Sequence, residues 1–180
     1  MWLFIGQLFQ LLLAPKRGWE DISEAAKHPD DIQRREFFPW IGLVAASELL
    51  RLVYDRDLSV LTAVEMAIIV GGSMVASLFI GRLILDLTLP AYAEKMNVQK
   101  IHVFTMYVIA FSGLFRVFMN AVPVDMSLFY FLPMITVLVI FKSTTYMGIL
   151  MDSRMTFLGI SIFVLIGIPF VLSEMLMLII

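Results

Sequence analysis

The stretch SVLTAVEMAIIVGGSMVASLFIGRLILDL, residues 59–87, decides the fold class. Its only ionisable residues are Glu65, Arg82 and Asp86, and no proline interrupts it before Pro90. A spanning α-helix needs about 20 predominantly apolar residues. This run exceeds that requirement, so a helix here tilts or projects beyond the lipid. The rest of the chain has the same character. Of 180 residues, 61% are hydrophobic and 16% charged, and mean hydropathy is +0.92. Soluble domains sit near roughly 45–50% apolar and 25% charged, so lipid is the natural solvent for the excess.

Working outward, a first span is expected over 37–54. It opens on an aromatic belt of Phe37, Phe38 and Trp40, with Pro39 tolerated in the first turn. Asp55 to Leu58 make a short turn, so the first two helices are antiparallel neighbours. After Pro90 and the polar connection 88–100, a third span covers 101–119. A turn over 120–125 containing Pro123 leads to a fourth span at 127–151. Asp152 to Arg154 turn the chain again, and a fifth span starts at 156 with a kink at Pro169. The expected fold is therefore all-α: a polytopic bundle of about five transmembrane helices over 37–180, with no room for a separate catalytic domain.

Residues 1–36 are read as a cytoplasmic amino-terminal segment. MWLFIGQLFQLLL, residues 1–13, is apolar but too short to span. A signal peptide carries its basic residues before the apolar run and a small-residue cleavage site after it. Here Lys16 and Arg17 follow the run, so an interfacial amphipathic helix in the headgroup plane is expected. Trp19 and Ile22 would touch the membrane surface and the charged run 16–36 would be solvated. Pro29 would break the helix, with Asp30 or Asp31 capping the next.

Lysine and arginine counts in the short loops set the orientation. Lys16, Arg17, Lys27, Arg34, Arg35, Lys95, Lys100 and Arg154 fall on one side of a five-span layout, against Arg56, with Arg51 and Arg116 near helix ends. The amino terminus is expected in the cytoplasm and the carboxyl terminus on the outer side. Lys16, Arg17, Arg34 and Arg35 form the cytoplasmic basic anchor.

Catalytic patterns are missing. The chain has no cysteine, and His28 and His102 stand far apart. His28 is read as solvated and His102 as interfacial. No metalloprotease, nucleophile-elbow or phosphate-loop motif occurs, so no catalytic residue, metal or cofactor is expected. The near-neutral net charge of −2 does not favour a nucleic-acid partner.

Charges inside spans are costly, so they pair, face the bundle interior or snorkel. Glu48 and Arg51 lie three apart; Arg82 and Asp86 lie four apart. Both spacings place opposite charges on one helical face. Because helices one and two form a hairpin, Glu48, Arg51 and Glu65 are expected to meet, with Arg116 near enough to join. This candidate intramembrane polar site is either an inter-helix salt bridge or the core of a transport path. Lys142 snorkels, and Glu174 lies towards the outer side. Gly72, Ser73, Ala76, Ser77 and Gly81 make a small-residue seam, suited to packing inside the bundle or to a homodimer.

The segment LLLAPKRGWEDISE at 11–24, five spans with a cytoplasmic amino terminus, Gly-Gly-Ser at 71–73 and Pro90-Ala-Tyr together resemble the Yip family of membrane proteins, in its compact bacterial branch. Eukaryotic members carry a longer cytosolic amino-terminal region and bind small GTPases; residues 1–36 are shorter than that region, so GTPase binding is not expected here. The resemblance implies a multi-pass protein of the bacterial inner membrane with no established enzyme activity. The expected function is structural, scaffolding or membrane-organising. A small transporter or channel-like subunit is the alternative. Membrane lipids, a second copy of the chain or another membrane protein are the expected partners.

Overall fold

A computed structural model describes residues 1–92, 97–122 and 132–178. Lys95, Pro123 and the beginning of the expected fourth span lie outside the described residues. Those described are almost wholly helical, with no strands. Helix α1 is Trp2–Leu13 and α2 is Pro15–Ala25. Helix α3 covers residues 29–53, α4 is Val60–Thr88, α5 is Val98–Ala121, α6 is Leu132–Lys142, and α7 covers residues 154–177.

Three helical stretches are long and apolar enough to cross a membrane: Val60–Tyr92, Val98–Ala121 and Met151–Met177. The quoted stretch therefore forms one uninterrupted helix, capped by the Ser59 hydroxyl, which accepts from Thr62 N–H at 3.0 Å. Pro90 does not end helical structure abruptly; it lies in a 3₁₀ turn, Leu89–Tyr92. Helix α6 is short, and it gives way to Thr144–Met147 before Gly148 turns left-handed at φ 66°.

Helix α3 starts earlier than expected and is not uniform. His28 Nδ1, rather than Asp30 or Asp31, accepts from the Asp30 N–H at 3.4 Å. The helix then widens into a π-turn at Gln33–Phe37, continues as an α-helix over Phe38–Ser47 and tightens to 3₁₀ over Glu48–Val53. Pro39 thus lies well inside a continuous helix, not in its first turn. The fifth expected span repeats the device, with a π-turn at Phe163–Gly167 and Pro169 two residues on. Proline lacks an N–H and its ring crowds the carbonyl four residues back. Those carbonyls belong to Arg35 and Leu165, each inside a π-turn. The wider turn accommodates the proline without breaking the helix.

Helix α5 is the centre of the bundle. Residues Ile101 to Phe111 are buried without interruption. His102 is among them, 3% exposed, rather than interfacial. At Gly113 a Cβ would stand 2.9 Å from both Val44 Cγ2 and Met74 Cε. Only glycine lets α3, α4 and α5 come this close. Trp40 fixes the same junction by donating its indole N–H to the Ala110 carbonyl at 2.9 Å.

The amino-terminal segment departs most from expectation. Helices α1 and α2 form a tight hairpin, in which a Cβ at Gly18 would meet the Leu11 backbone nitrogen at 3.0 Å. Phe4, Leu8 and Leu11 have no exposed surface, so one face of α1 is docked on the bundle, while Trp2, Leu3 and Leu13 stay exposed. Trp19 and Ile22 are likewise buried, at 2% and 5% exposure, instead of facing a membrane surface. Trp19 stacks on Tyr146 at 5.2 Å. Polar groups orient the docking. Tyr107 O–H donates to Gln7 Oε1 at 2.5 Å, and Gln10 Nε2 bonds Asp21.

Candidate functional site

The polar cluster forms where the 3₁₀ end of α3 meets the last turns of α5. Ser47 and Glu48 are consecutive and both buried, Glu48 completely. Arg116 of α5 donates from Nε to Glu48 Oε1 at 2.6 Å. Arg51, one turn on, places Nη1 3.7 Å from Glu48 Oε2 and Nη2 3.6 Å from Asp55. Its Nη1 also lies 3.3 Å from the Met66 sulfur of α4. Two guanidinium groups therefore converge on one buried carboxylate. Burial without such partners would cost several kcal/mol of desolvation.

The sequence pairs Glu48 with Arg51, and Arg116 joins them as expected. Glu65 does not. Its carboxylate makes no salt bridge or hydrogen bond among the described residues, and the residue is only half-buried. The α4 position that reaches the cluster is Met66, its neighbour. One residue along a helix is a rotation of about 100°, so the face decides the contact. The Arg82–Asp86 pair forms as expected, at 3.4 Å.

Sequence spacing missed Asn120 and Ser47. Asn120 Nδ2 donates to Ser47 Oγ at 2.9 Å, and Tyr54 O–H donates to the Asn120 carbonyl at 3.1 Å. Asn120 follows Arg116 by four residues and so shares its helical face, a signal that could have found it. Nor did the sequence show that Lys27 is taken by Glu36, which is 7% exposed. The other basic residues of the amino-terminal segment stay outward. Lys16 and Arg35 keep 75% and 82% of their side chains exposed, and Arg17 and Arg34 are also exposed.

The small-residue seam divides. Ser73, Ser77 and Gly81 are buried inside the chain's own bundle. Gly81 packs closely on α7 and α5, where a Cβ would lie 3.4 Å from Leu165 and 3.7 Å from Thr105. Both serines return their hydroxyls to their own helix, to Val70 and Ser73 carbonyls at 2.9 and 2.6 Å. Ala76 is partly buried, and Gly72 is exposed with nothing near its missing Cβ.

Among the described residues no three histidine or acidic side chains are grouped as metal ligands would be. No protein-family model, curated protein or solved structure matches this chain.

Proposed function

We propose that the chain is a non-enzymatic integral membrane protein of Yip-like type with a structural, scaffolding or membrane-organising role. It would cross a bacterial inner membrane five times, with its amino terminus in the cytoplasm and its carboxyl terminus outside. The three long apolar helices support a membrane setting, and the apolar part of α3 is the natural fourth crossing. Helix α6, with the residues before it, would supply the fifth. Exposed Lys16, Arg17, Arg34 and Arg35 would give the cytoplasmic face a basic surface for anionic headgroups.

Glu48 carries the choice between scaffold and transporter. A carboxylate on a transport path must meet water or an ion, yet Glu48 has no exposed surface and is held by arginines. Such an arrangement ties α3 to α5. Transport through Glu48, Arg51 and Glu65 would need all three around one water-connected cavity, and Glu65 stands apart.

Proteoliposomes containing the full chain are expected to pass protons and small ions no faster than protein-free vesicles, and Glu65→Gln is expected to change nothing. A flux that Glu65→Gln abolishes overturns the scaffold reading in favour of transport.

A further inference from the structure

Beside the Glu48 cluster, a cavity of about 230 Å³ opens between α4, α5 and α7. Arg116 reaches it from α5; Ser173 and Glu174 reach it from α7. We propose that this cavity is the headgroup site of a zwitterionic phospholipid of the phosphatidylethanolamine class, with Arg116 holding the phosphate and Glu174 the ammonium.

Charge complementarity supports this choice. Only the Nε of Arg116 is used by Glu48 in a hydrogen bond, and 36% of the side chain remains exposed. Its two Nη groups make no hydrogen bond among the described residues. They present the planar fork of donors that matches two phosphate oxygens. Glu174 is exposed, and its carboxylate takes part in no salt bridge or hydrogen bond among the described residues. Ser73 and Ser112 donate their protons to carbonyls of their own helices, which leaves hydroxyl lone pairs for an ammonium. Ser173 has no such internal bond and can donate to the phosphate.

One cation from α5 and one anion from α7 favour a ligand with both charges. An anionic lipid would set its phosphate beside Arg116 but leave Glu174 without a cation. Phosphatidylcholine satisfies the charges, yet its quaternary ammonium has no N–H to donate to Glu174. The occupant is a lipid rather than a soluble zwitterion because the mouth is apolar. Phe170 and Met177 line it and are 66% and 39% exposed. Acyl chains can lie along that rim while the headgroup enters.

The full chain, purified in detergent, is titrated with phosphatidylethanolamine, phosphatidylglycerol and phosphatidylcholine and read by native mass spectrometry. One phosphatidylethanolamine is expected to bind about tenfold more tightly than either other lipid, the ratio worth about 1.4 kcal/mol. Glu174→Gln is expected to erase that preference while phosphatidylglycerol binds as well or better. Arg116→Lys, which keeps a positive charge for Glu48, is expected to weaken all three. Should Arg116→Lys fail to fold, Ser173→Ala serves in its place, with a smaller loss for all three. Equal binding of the three lipids, or a preference untouched by Glu174→Gln, overturns the site. Displacement of the lipid by phosphoethanolamine without acyl chains, at equal concentration, assigns the cavity to a soluble ligand and overturns the lipid assignment.

Discussion

Trp19 donates its indole N–H to the Val139 carbonyl at 2.9 Å, joining α2 to α6 across 120 residues of sequence. The same carbonyl also accepts from Ser143 N–H at 3.2 Å. Losing the indole therefore leaves no orphaned acceptor, and the main contribution of Trp19 is packing. Trp19→Ala is expected to cost roughly 3–5 kcal/mol, the range for deleting a large buried aromatic. Trp19→Phe, which keeps most of the ring contacts with Tyr146 and Phe104, should cost about 1 kcal/mol. Thermal unfolding in detergent should rank wild type above Phe above Ala. If Ala unfolds with wild type, the amino-terminal hairpin is not docked.

The Glu48–Arg116 pair should show strong coupling. Removing Arg116 as Leu leaves a buried carboxylate with only the longer Arg51 contact, at an expected cost of about 3 kcal/mol. Glu48→Leu should cost less, because the arginines it frees keep 36% and 30% of their side chains exposed and can take water. The double replacement is expected to be much milder than the sum, since apolar pairs often substitute for buried ion pairs. A double-mutant cycle on unfolding measures this; additive losses would show that the two residues act separately.

Two glycines of the bundle should respond oppositely to alanine. Gly113→Ala drives a Cβ to 2.9 Å from Val44 and Met74, so about 1–3 kcal/mol of overpacking is expected. Gly72→Ala meets nothing within 4 Å and should be neutral, or more stable by up to about 1 kcal/mol through helix propensity. Melting temperatures of the two variants check this. A Gly72→Ala variant that lost a dimer on a sizing column would instead make that face an interface between copies.

The absence of cysteine makes topology directly measurable. Single cysteines at Lys27, Arg56 and Ser153 are expected to react with an impermeant maleimide from the cytoplasmic, outer and cytoplasmic sides, respectively. Labelling of 27 and 56 from the same side would mean that α3 does not cross the membrane.

What the sequence determined by itself is local. Apolar length located α4 and α5 to within a few residues, because backbone hydrogen bonding in lipid leaves little alternative to a helix. The i,i+3 and i,i+4 spacings found the Glu48–Arg51 and Arg82–Asp86 pairs, because helix geometry alone brings those residues together. Only the tertiary structure decided which face of each helix is inside. Helix α4 is apolar on every side, and lipid is as apolar as a neighbouring leucine, so hydropathy carries no stripe to read. Hence nothing local told that Met66 and not Glu65 would reach Arg51, or that Ser73 and Ser77 would be buried while Gly72 would not. The docking of Phe4, Leu8 and Trp19 was hidden for the same reason. An amphipathic segment beside a membrane can bury its apolar face in headgroups or in protein, and here shape complementarity around Gly18, Tyr107 and Tyr146 chose the protein.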